Sequence, residues 1–460
     1  MMKFLLLILL LGILGCAGEG NETNAVYLAG EIVNPTDRFV VLLKGEQPLD
    51  TARLDSQNRF EFRLDSVQEG LHSFKHDPEY QYVYLEGGDS LQIRLNTIAF
   101  DESLVFSGRG EEINNFLIEL FLESEGEENL IRDAYIPMEP KAFSSRLDSL
   151  KVFKLKRLEK LQKETPLSQG AFLAAEASIL YQNYLYHEKY PFWHRKIAGD
   201  GGLHDLSAGF YDYRKKVSYE DPQLTFLRPY HEFMIYHIGN LAYMSCRKAC
   251  EVNNEQIGNK LHFNTHQLYL IDSLVTGEEL RDNLFRTVAF DYLLKKDTEE
   301  NFKTFMEEFH RLSGNNRHLA EIDRLSEAIQ NLRPNHEVPD LMVENFTGEA
   351  QSMRSVSAEG KVVFYFWSGP QQNQLTNIIR RVRALSEDHP DYRFVGICLR
   401  TDRERWKTLI DSYSLDPEDQ FWTGDFETFV QTLVVDNTYK SVLAKNGKIV
   451  NGFANLNTSF

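Results

Sequence analysis

The sequence contains 460 residues, which is more than one hydrophobic core accommodates and predicts about three domains. Its 42% hydrophobic and 26% charged residues are typical of a globular protein. The 50 basic and 68 acidic residues give a formal net charge of −18. A surface this negative excludes nucleic acid as an expected partner and gives no electrostatic attraction to anionic lipid.

The N-terminus has the pattern of a signal peptide. One basic residue, Lys3, precedes the apolar run FLLLILLLGIL, which is too short to span a bilayer. The run is followed by Gly and Cys16, and this ending resembles the lipobox of bacterial lipoproteins. The resemblance implies removal of residues 1–15 and lipidation of Cys16, whose acyl chains would anchor the protein stably. The alternative is an ordinary secretory signal with an incidental cysteine.

Residues 16–25 then predict a lipid anchor followed by a flexible polar tether, AGEGNETNA. We therefore expect the protein in the bacterial cell envelope, held to a membrane by its N-terminal lipid. The expected membrane is the outer one, with the protein on its periplasmic or surface face.

The region from residue 26 to residue 109 has the pattern of an all-β sandwich with antiparallel strands. Short alternating runs such as VYLAGEIV, RFEFRL and SLQIRL are separated by turn signals, for example Asn34-Pro35. The order of these runs resembles the N-terminal β-domain of envelope lipoproteins that end in a thioredoxin-like domain. The region shows no cluster of His, Cys or acidic residues that would indicate a site.

Residues 110–334 predict an irregular α-helical domain, because amphipathic stretches follow one another without a fixed repeat. One of them, AFSSRLDSLKVFKLKRLEKLQKE, sets apolar residues against a Lys/Arg face. Another, residues 181–194, contains six aromatic residues and two histidines. Aromatic residues at helical spacing favour packing in a core or at a domain interface. The alternative is a ligand groove within a receptor-like or ligand-binding lipoprotein.

Residues 335–460 have an α/β pattern. The stretch KVVFYFW predicts a buried strand, QLTNIIRRVRALSED an amphipathic helix, and YRFVGICL a second buried strand. Another helix is expected around ERWKTLIDSYS, and Asn446-Gly447 is a strong signal for a terminal hairpin. This alternation predicts a mixed sheet with helices on both faces.

The same region resembles the thioredoxin-like domain of membrane-anchored thiol–disulfide oxidoreductases, through VPDLMV, GKVVFYFWS, YRFVGICL and SVLAKNGKIV. The aromatic pair that ends at Trp367 is followed in that family by Cys-x-x-Cys at a helix N-terminus, where the helix amides lower the pKa of the first thiol. In this chain the resemblance places Gln371 and Gln374 at the two cysteine positions. A carboxamide neither ionises near neutral pH nor bonds to sulfur, so we expect no thiol exchange at this turn.

A second departure supports the first. The family has a cis-proline before the strand that faces the active site, and the resemblance places Thr438 there. We expect a trans bond, because a cis bond before a residue other than proline costs about 2.5–4 kcal/mol. Trp367, Gln371, Gln374 and Thr438 are therefore predicted to be degenerate active-site positions, with no catalytic residue and no cofactor among them.

Beyond Cys16 the chain contains three further cysteines, Cys246, Cys250 and Cys398, and an odd number of thiols does not indicate a disulfide framework. Cys398 lies in an apolar run, which favours a small core residue over a reactive thiol. Cys246 and Cys250 stand four apart on a predicted helix. With His231 or His237 they would form part of a metal site, but a fourth ligand is lacking, and packing against the helical core is favoured.

Two further histidines, His262 and His266, also stand four apart. No glutamate follows the first one, so they do not form the zinc-protease motif. We interpret them as surface residues or residues near a helix N-terminus, and we expect no metal site in the chain.

The predicted protein is therefore multidomain: an all-β sandwich, an irregular α-helical domain and an α/β thioredoxin-like domain. We expect a lipid-anchored envelope protein whose degenerate thioredoxin-like domain binds or scaffolds an envelope protein or peptide and is not an enzyme. The alternative is a thiol–disulfide oxidoreductase that uses an atypical cysteine.

Overall fold

The computed structural model describes residues 24–199, 206, 208–249, 260–295, 297–370 and 372–460. The predicted signal peptide, Cys16, Cys250 and Gln371 lie outside these ranges. N-terminal β-sheets, a helical middle region and a C-terminal sheet confirm the coarse prediction. The chain forms two compact units, and the segment predicted to be helical is divided between them. Unit 1 contains the described residues up to Tyr213 together with Phe226–Phe233. Unit 2 contains Arg214–Thr225 and Met234–Phe460.

Unit 1 begins with two four-stranded sheets that share one apolar core. Their strands are β1 Val26–Val33, β2 Phe39–Lys44, β3 Gln47–Arg53, β4 Arg59–Leu64, β5 Gly70–His76, β6 Glu79–Leu85, β7 Ser90–Asn96 and β8 Val105–Arg109. The strand orders are β4-β1-β7-β8 and β3-β2-β5-β6. Leu28 and Phe62 of the first sheet and Val40 and Phe74 of the second belong to one buried cluster. The alternating patterns that predicted the strands therefore mark their buried faces.

The prediction that all these strands are antiparallel is wrong for one pair. β1 lies beside β7 in parallel register, from Tyr27 opposite Ser90 to Val33 opposite Asn96. The intervening chain passes through the other sheet before it returns, which allows the two strands to run in the same direction. Hydrophobic alternation identifies which face of a strand is buried, but it contains no information about the direction of the neighbouring strand.

The helices of unit 1 are α1 Phe100–Ser103, α2 Glu111–Leu130 with the π-helix Ile131–Tyr135, α3 Pro140–Glu164, α4 Gln169–Ala198 and the 3-10 segment Ala208–Lys216, which ends in unit 2. Of these, α1, α2 and α4 contact strands of the β-region. The basic face of α3 pairs with acidic residues of α2. Lys154 Nζ lies 2.7 Å from Glu127, and Arg157 contacts Glu119 and Glu123. Because Lys154 is almost fully buried, its ion pair orients α3 against α2.

Unit 2 contains most of α5 Arg228–Ala249, whose first residues belong to unit 1. Its other helices before the sheet are α6 Lys260–Leu274, α7 Glu278–Leu293, α8 Glu299–Ser313 and α9 Leu319–Asn331. Tyr292 of α7 stacks on Phe305 of α8 with ring centroids 4.1 Å apart. In the part of the chain that the structure describes, none of the helices combines the length and the apolar character needed to cross a membrane.

The C-terminal sheet has seven strands in the order β10-β9-β13-β12-β11-β14-β15. These are β9 Met342–Glu344, β10 Ala350–Ser352, β11 Lys361–Ser368, β12 Tyr392–Leu399, β13 Gln420–Trp422, β14 Lys440–Lys445 and β15 Lys448–Asn455. The associated helices are α10 Met353–Val356, α11 Gln372–Asp388, α12 Arg403–Ser412, the 3-10 turn Pro417–Asp419 and α13 Phe426–Leu433. Asn446 and Gly447 form the predicted hairpin turn, both with positive φ, at 50° and 75°.

A buried lysine begins β14, two residues after Thr438. Only 2% of Lys440 is exposed, its Nζ donates a hydrogen bond to the Gly452 carbonyl at 2.6 Å, and the same atom lies 3.9 Å from the Phe453 ring centroid. Burial lowers the pKa of Lys440 to about 8, although the charge of Asp436 opposes the shift. The folded state therefore binds this proton less tightly than the unfolded chain does.

We expect this lysine to make unit 2 more stable as the pH rises. Between pH 8 and the ordinary lysine pKa of 10.5 the unfolded chain binds more protons, so the free energy of unfolding increases across that window. The full difference corresponds to about 3 kcal/mol, or about 5–10 °C in Tm. Thermal melts followed by tryptophan fluorescence should show the Tm of the wild-type chain rising against that of Lys440→Met from pH 8 to pH 10.5.

The matched control is Lys445→Met, which changes an exposed lysine at the other end of the same strand. Its Tm should follow the wild-type curve over this pH range. If the Tm of the wild-type chain and the Tm of Lys440→Met changed with pH in parallel, the lowered pKa of Lys440 in the folded state would be contradicted.

Candidate functional site

The turn between β11 and α11 lies where the resemblance predicts an active site. β11 is buried along six of its eight residues, and the chain leaves it through Gly369-Pro370 into the helix. The loop between β12 and α12 holds this turn, because Thr401 Oγ1 accepts a hydrogen bond from the Gly369 amide at 2.8 Å and Arg405 donates one to the Gly369 carbonyl at 3.3 Å. The amide and the carbonyl of Gly369 are therefore both held by hydrogen bonds, which restrains the backbone of the turn.

The structure brings two of the predicted positions together. Thr438 Oγ1 donates a hydrogen bond of 3.2 Å to Gln374 Oε1, and Gln374 is exposed on the first turns of α11. Among the described residues the cis peptide bond precedes Pro78, so the bond before Thr438 is trans, as expected. A carboxamide and a hydroxyl thus meet at the surface, and both groups donate and accept hydrogen bonds.

Trp367 does not join this surface pair. It is 3% exposed, and its Nε1 donates a 3.1 Å hydrogen bond to Gln420 Oε1, while Gln420 Nε2 donates to the Tyr365 hydroxyl at 3.0 Å. Burial raises the pKa of Tyr365 to about 12, so its proton stays in place. Gly396 leaves room for this buried network, since a Cβ there would lie 2.7 Å from the Tyr365 hydroxyl.

Cys398 is a core residue. It lies on β12 opposite Trp367 and has no exposed surface. Burial raises the pKa of the Cys398 thiol to about 12, so almost none of it is ionised at neutral pH. Since the thiolate is the nucleophile in disulfide exchange, the environment of this cysteine opposes reactivity.

The structure places Cys246 beside a histidine that the sequence interpretation had treated separately. Cys246 Sγ lies 2.8 Å from Nδ1 of His266, and the rings of His262 and His266 have centroids 5.2 Å apart. The candidate ligand His237 instead contacts the Tyr219 hydroxyl at 2.7 Å through Nε2. The expectation that His262 and His266 are surface residues or residues near a helix N-terminus is confirmed in its second form, because both lie, half-buried, on the first turns of α6.

The ligand atoms of Cys246, His262 and His266 all lie within 4.8 Å of one another. Burial, together with the charge of His262, lowers the pKa of His266 and favours its neutral ring. The sequence contains a signal for this cluster. Cys246 and Cys250 are followed by His262 and His266, and the residues of each pair stand four apart. The resemblance to a metal-binding pattern emerges only when the cysteine pair and the histidine pair are considered together.

The aromatic segment 181–194 lies on α4 and packs mainly in the core of unit 1. Tyr190 is fully buried, stacks on Phe143 at 4.2 Å between ring centroids and donates a hydrogen bond to the Met138 carbonyl. Three of its residues, Gln182, Tyr186 and Lys189, line a cavity of about 270 Å³ between β6, α2, α4 and the start of α5. Core packing therefore accounts for most of the segment, and the cavity is lined mainly by other residues.

Comparison with known proteins finds similarity to solved structures. No family model matches the chain, and no curated protein matches it. A thioredoxin-like protein from Bacteroides caccae is 9% identical, with 60% of this chain and 90% of that chain covered and a TM-score of 0.30. A thiol-disulfide oxidoreductase from Bacteroides vulgatus is 16% identical, with 27% of this chain and 87% of that chain covered and a TM-score of 0.23. A secreted disulfide oxidoreductase from Mycobacterium tuberculosis is 17% identical, with 25% of this chain and 83% of that chain covered and a TM-score of 0.19. Similarity at these values does not show an activity of this chain.

We expect Gly396→Ala to disturb the buried network behind the turn. The added methyl group would press on Gln420 and Tyr365, and overpacking of this kind costs about 1–3 kcal/mol. The Tm of unit 2 should fall, and the emission of Trp367 should shift as its hydrogen bond to Gln420 is lost. Thermal melts and fluorescence spectra of the full chain measure both effects.

Gly239→Ala provides the matched control, because Gly239 lies in α5 with its nearest potential Cβ contact at 3.7 Å. An alanine inside a helix stabilises by up to about 1 kcal/mol relative to glycine. If Gly396→Ala melted like this control with unchanged emission, the network would have no role in supporting the turn.

Proposed function

We propose that this chain is a lipid-anchored cell-envelope protein whose C-terminal thioredoxin-like domain binds or scaffolds another envelope protein or a peptide without thiol chemistry. The hydrogen bond between Gln374 and Thr438 carries the proposal. It joins the position that the resemblance assigns to the second cysteine with the position that it assigns to the cis-proline. Exchange needs a thiolate and a second sulfur within disulfide range, and Gln374 supplies neither.

The two thiols among the described residues, Cys246 and Cys398, also argue against thiol exchange. Cys398 is buried in the sheet with a raised pKa, so it is poorly ionised and inaccessible to a client disulfide. Cys246 has a histidine beside it, an arrangement that activates thiols, but none of its surface is exposed. The alternative of an oxidoreductase with an atypical cysteine therefore lacks an accessible sulfur among the described residues.

The surface pair is chemically suited to a peptide backbone. Gln374 uses its Oε1 to accept from Thr438, and its carboxamide also contains two N–H donors. The Thr438 hydroxyl oxygen accepts further hydrogen bonds. Donors and acceptors that alternate along an exposed edge complement the N–H and C=O groups of an extended chain. Such binding is reversible, because no covalent intermediate forms.

We expect the full chain, solubilised in detergent, to reduce insulin no faster than dithiothreitol alone. The matched variant is Gln371→Cys/Gln374→Cys, which restores Cys-x-x-Cys at the helix start and should form a reversible disulfide and accelerate insulin reduction. Turbidity of the precipitating insulin chains measures the rate, with an active thioredoxin as the assay control. Catalysis by the wild-type chain that Cys246→Ala or Cys398→Ala abolishes would overturn the proposal.

A site-specific photo-crosslinker tests the binding role. Placed at Gln374 or at neighbouring Asn437, it should capture the same envelope protein in intact cells, because both positions lie at the proposed binding surface. Placed at the exposed Asp388, at the other end of α11, it should not. Mass spectrometry of the adducts identifies the partner. Identical adducts from all three positions would show that the pair beside Thr438 has no selective role.

A further inference from the structure

Three side chains that the proposed function does not use converge in unit 2. Cys246 lies at the end of α5, and His262 and His266 lie on the first turns of α6. Cys246 is fully buried, and both histidines are half-buried. Their sulfur and nitrogen atoms lie within 4.8 Å of one another, with Sγ of Cys246 2.8 Å from Nδ1 of His266.

We propose that Cys246, His262 and His266 bind a zinc ion that joins the end of α5 to the start of α6. A thiolate and two neutral imidazoles form a borderline-soft donor set, which zinc prefers and which calcium and magnesium do not. Three protein donors leave one of the four tetrahedral positions to a further ligand, and the burial of Cys246 favours a structural role over a catalytic one.

The distances suit a zinc ion after small side-chain movements. Zinc lies about 2.3 Å from a thiolate sulfur and about 2.0–2.1 Å from an imidazole nitrogen, so tetrahedral geometry separates sulfur from nitrogen by roughly 3.5 Å. The contact of 2.8 Å between Sγ and Nδ1 is shorter than this value, and the outer limit of 4.8 Å is longer. We expect side-chain rotation to supply these adjustments when the ion binds.

The sequence supports the cluster independently. Cys246 is followed by Cys250 after three residues, by His262 after a further eleven, and by His266 after three more. This is the order and the close pairing that two-cysteine, two-histidine zinc sites show. Cys250 lies outside the described residues, so the proposal is built on the three described side chains.

A catalytic Cys–His pair explains the geometry less well. A nucleophilic thiol has to meet its substrate, and Cys246 has no exposed surface. Zinc coordination uses all three side chains, and it would hold the Cys246 thiolate away from oxidants.

The test is the metal content and the cobalt spectrum of the full chain, purified without an affinity tag under reducing conditions. We expect about one zinc ion per chain by elemental mass spectrometry. After chelation, reconstitution with Co²⁺ should give a sulfur-to-cobalt charge-transfer band and the visible bands of tetrahedral cobalt. Cys246→Ser and His266→Ala should weaken zinc affinity at least about tenfold and so lower the zinc content after dialysis against a chelator, and Cys246→Ser should remove the charge-transfer band.

The matched controls are Cys398→Ser, which changes a buried cysteine elsewhere in unit 2, and His310→Ala, which changes an exposed histidine paired with Asp323. Both should retain zinc. The cobalt spectrum of the wild-type chain decides the proposal even if a variant fails to fold. Absence of both zinc and a charge-transfer band in the wild-type chain would overturn it, as would full zinc content in folded Cys246→Ser.

Discussion

The central strand β11 is the constraint on which the C-terminal sheet and its candidate site depend. Its side chains from Val362 to Trp367 are buried, and it lies between a parallel neighbour, β12, and an antiparallel one, β14. A strand enclosed in this way has little freedom of register, because a shift of one residue would exchange its two faces. The end of β11 therefore determines where the chain emerges, and the turn at Gly369 begins at a defined point.

The scaffold of this turn and its chemistry are separable. Trp367, Gln420 and Tyr365 form a closed set of hydrogen bonds beneath the turn, and Thr401 and Arg405 hold its backbone. None of these contacts requires a sulfur atom. The packing that supports the position of Gln374 beside Thr438 therefore does not depend on which side chain is exposed at the turn. A binding role keeps the benefit of this support, because a pre-ordered surface reduces the entropy lost on association.

Long and strongly patterned elements were predictable from the sequence. β11, β12, α11 and the hairpin at Asn446-Gly447 appear where apolar runs, helical periodicity and a turn dipeptide indicated them. The strands β9, β10 and β13 contain three residues each, too few for a periodic signal, and they form because the sheet offers edges to pair with. The parallel register of β1 and β7 arises from chain connectivity, which a local pattern does not contain.

The candidate sites show a similar division. Gln374 and Thr438 were each located from a neighbouring landmark, the aromatic pair and the terminal hairpin, and the structure brings their side chains together, while their role stays a prediction. Cys246, His262 and His266 were predicted to be separate features, since each pair in isolation has the spacing of an ordinary helix face. Their convergence depends on how α5 and α6 pack, a tertiary property. Only the combined order of cysteines and histidines in the sequence indicates it.

The positions of the thiols connect the two proposals. In an oxidoreductase the reactive sulfurs stand at an exposed helix start, where ionisation and access favour exchange. In this chain the described thiols are both buried, Cys398 in the sheet and Cys246 against a histidine. An exported protein meets oxidants, and an exposed unpaired thiol would form mixed disulfides with whatever it contacts. Burial of Cys398 opposes this reaction, and the proposed zinc coordination of Cys246 would prevent it there as well. The proposed surface, which would bind partners reversibly through an amide and a hydroxyl, would benefit from that protection, since one accessible sulfur would turn a transient contact into a covalent one.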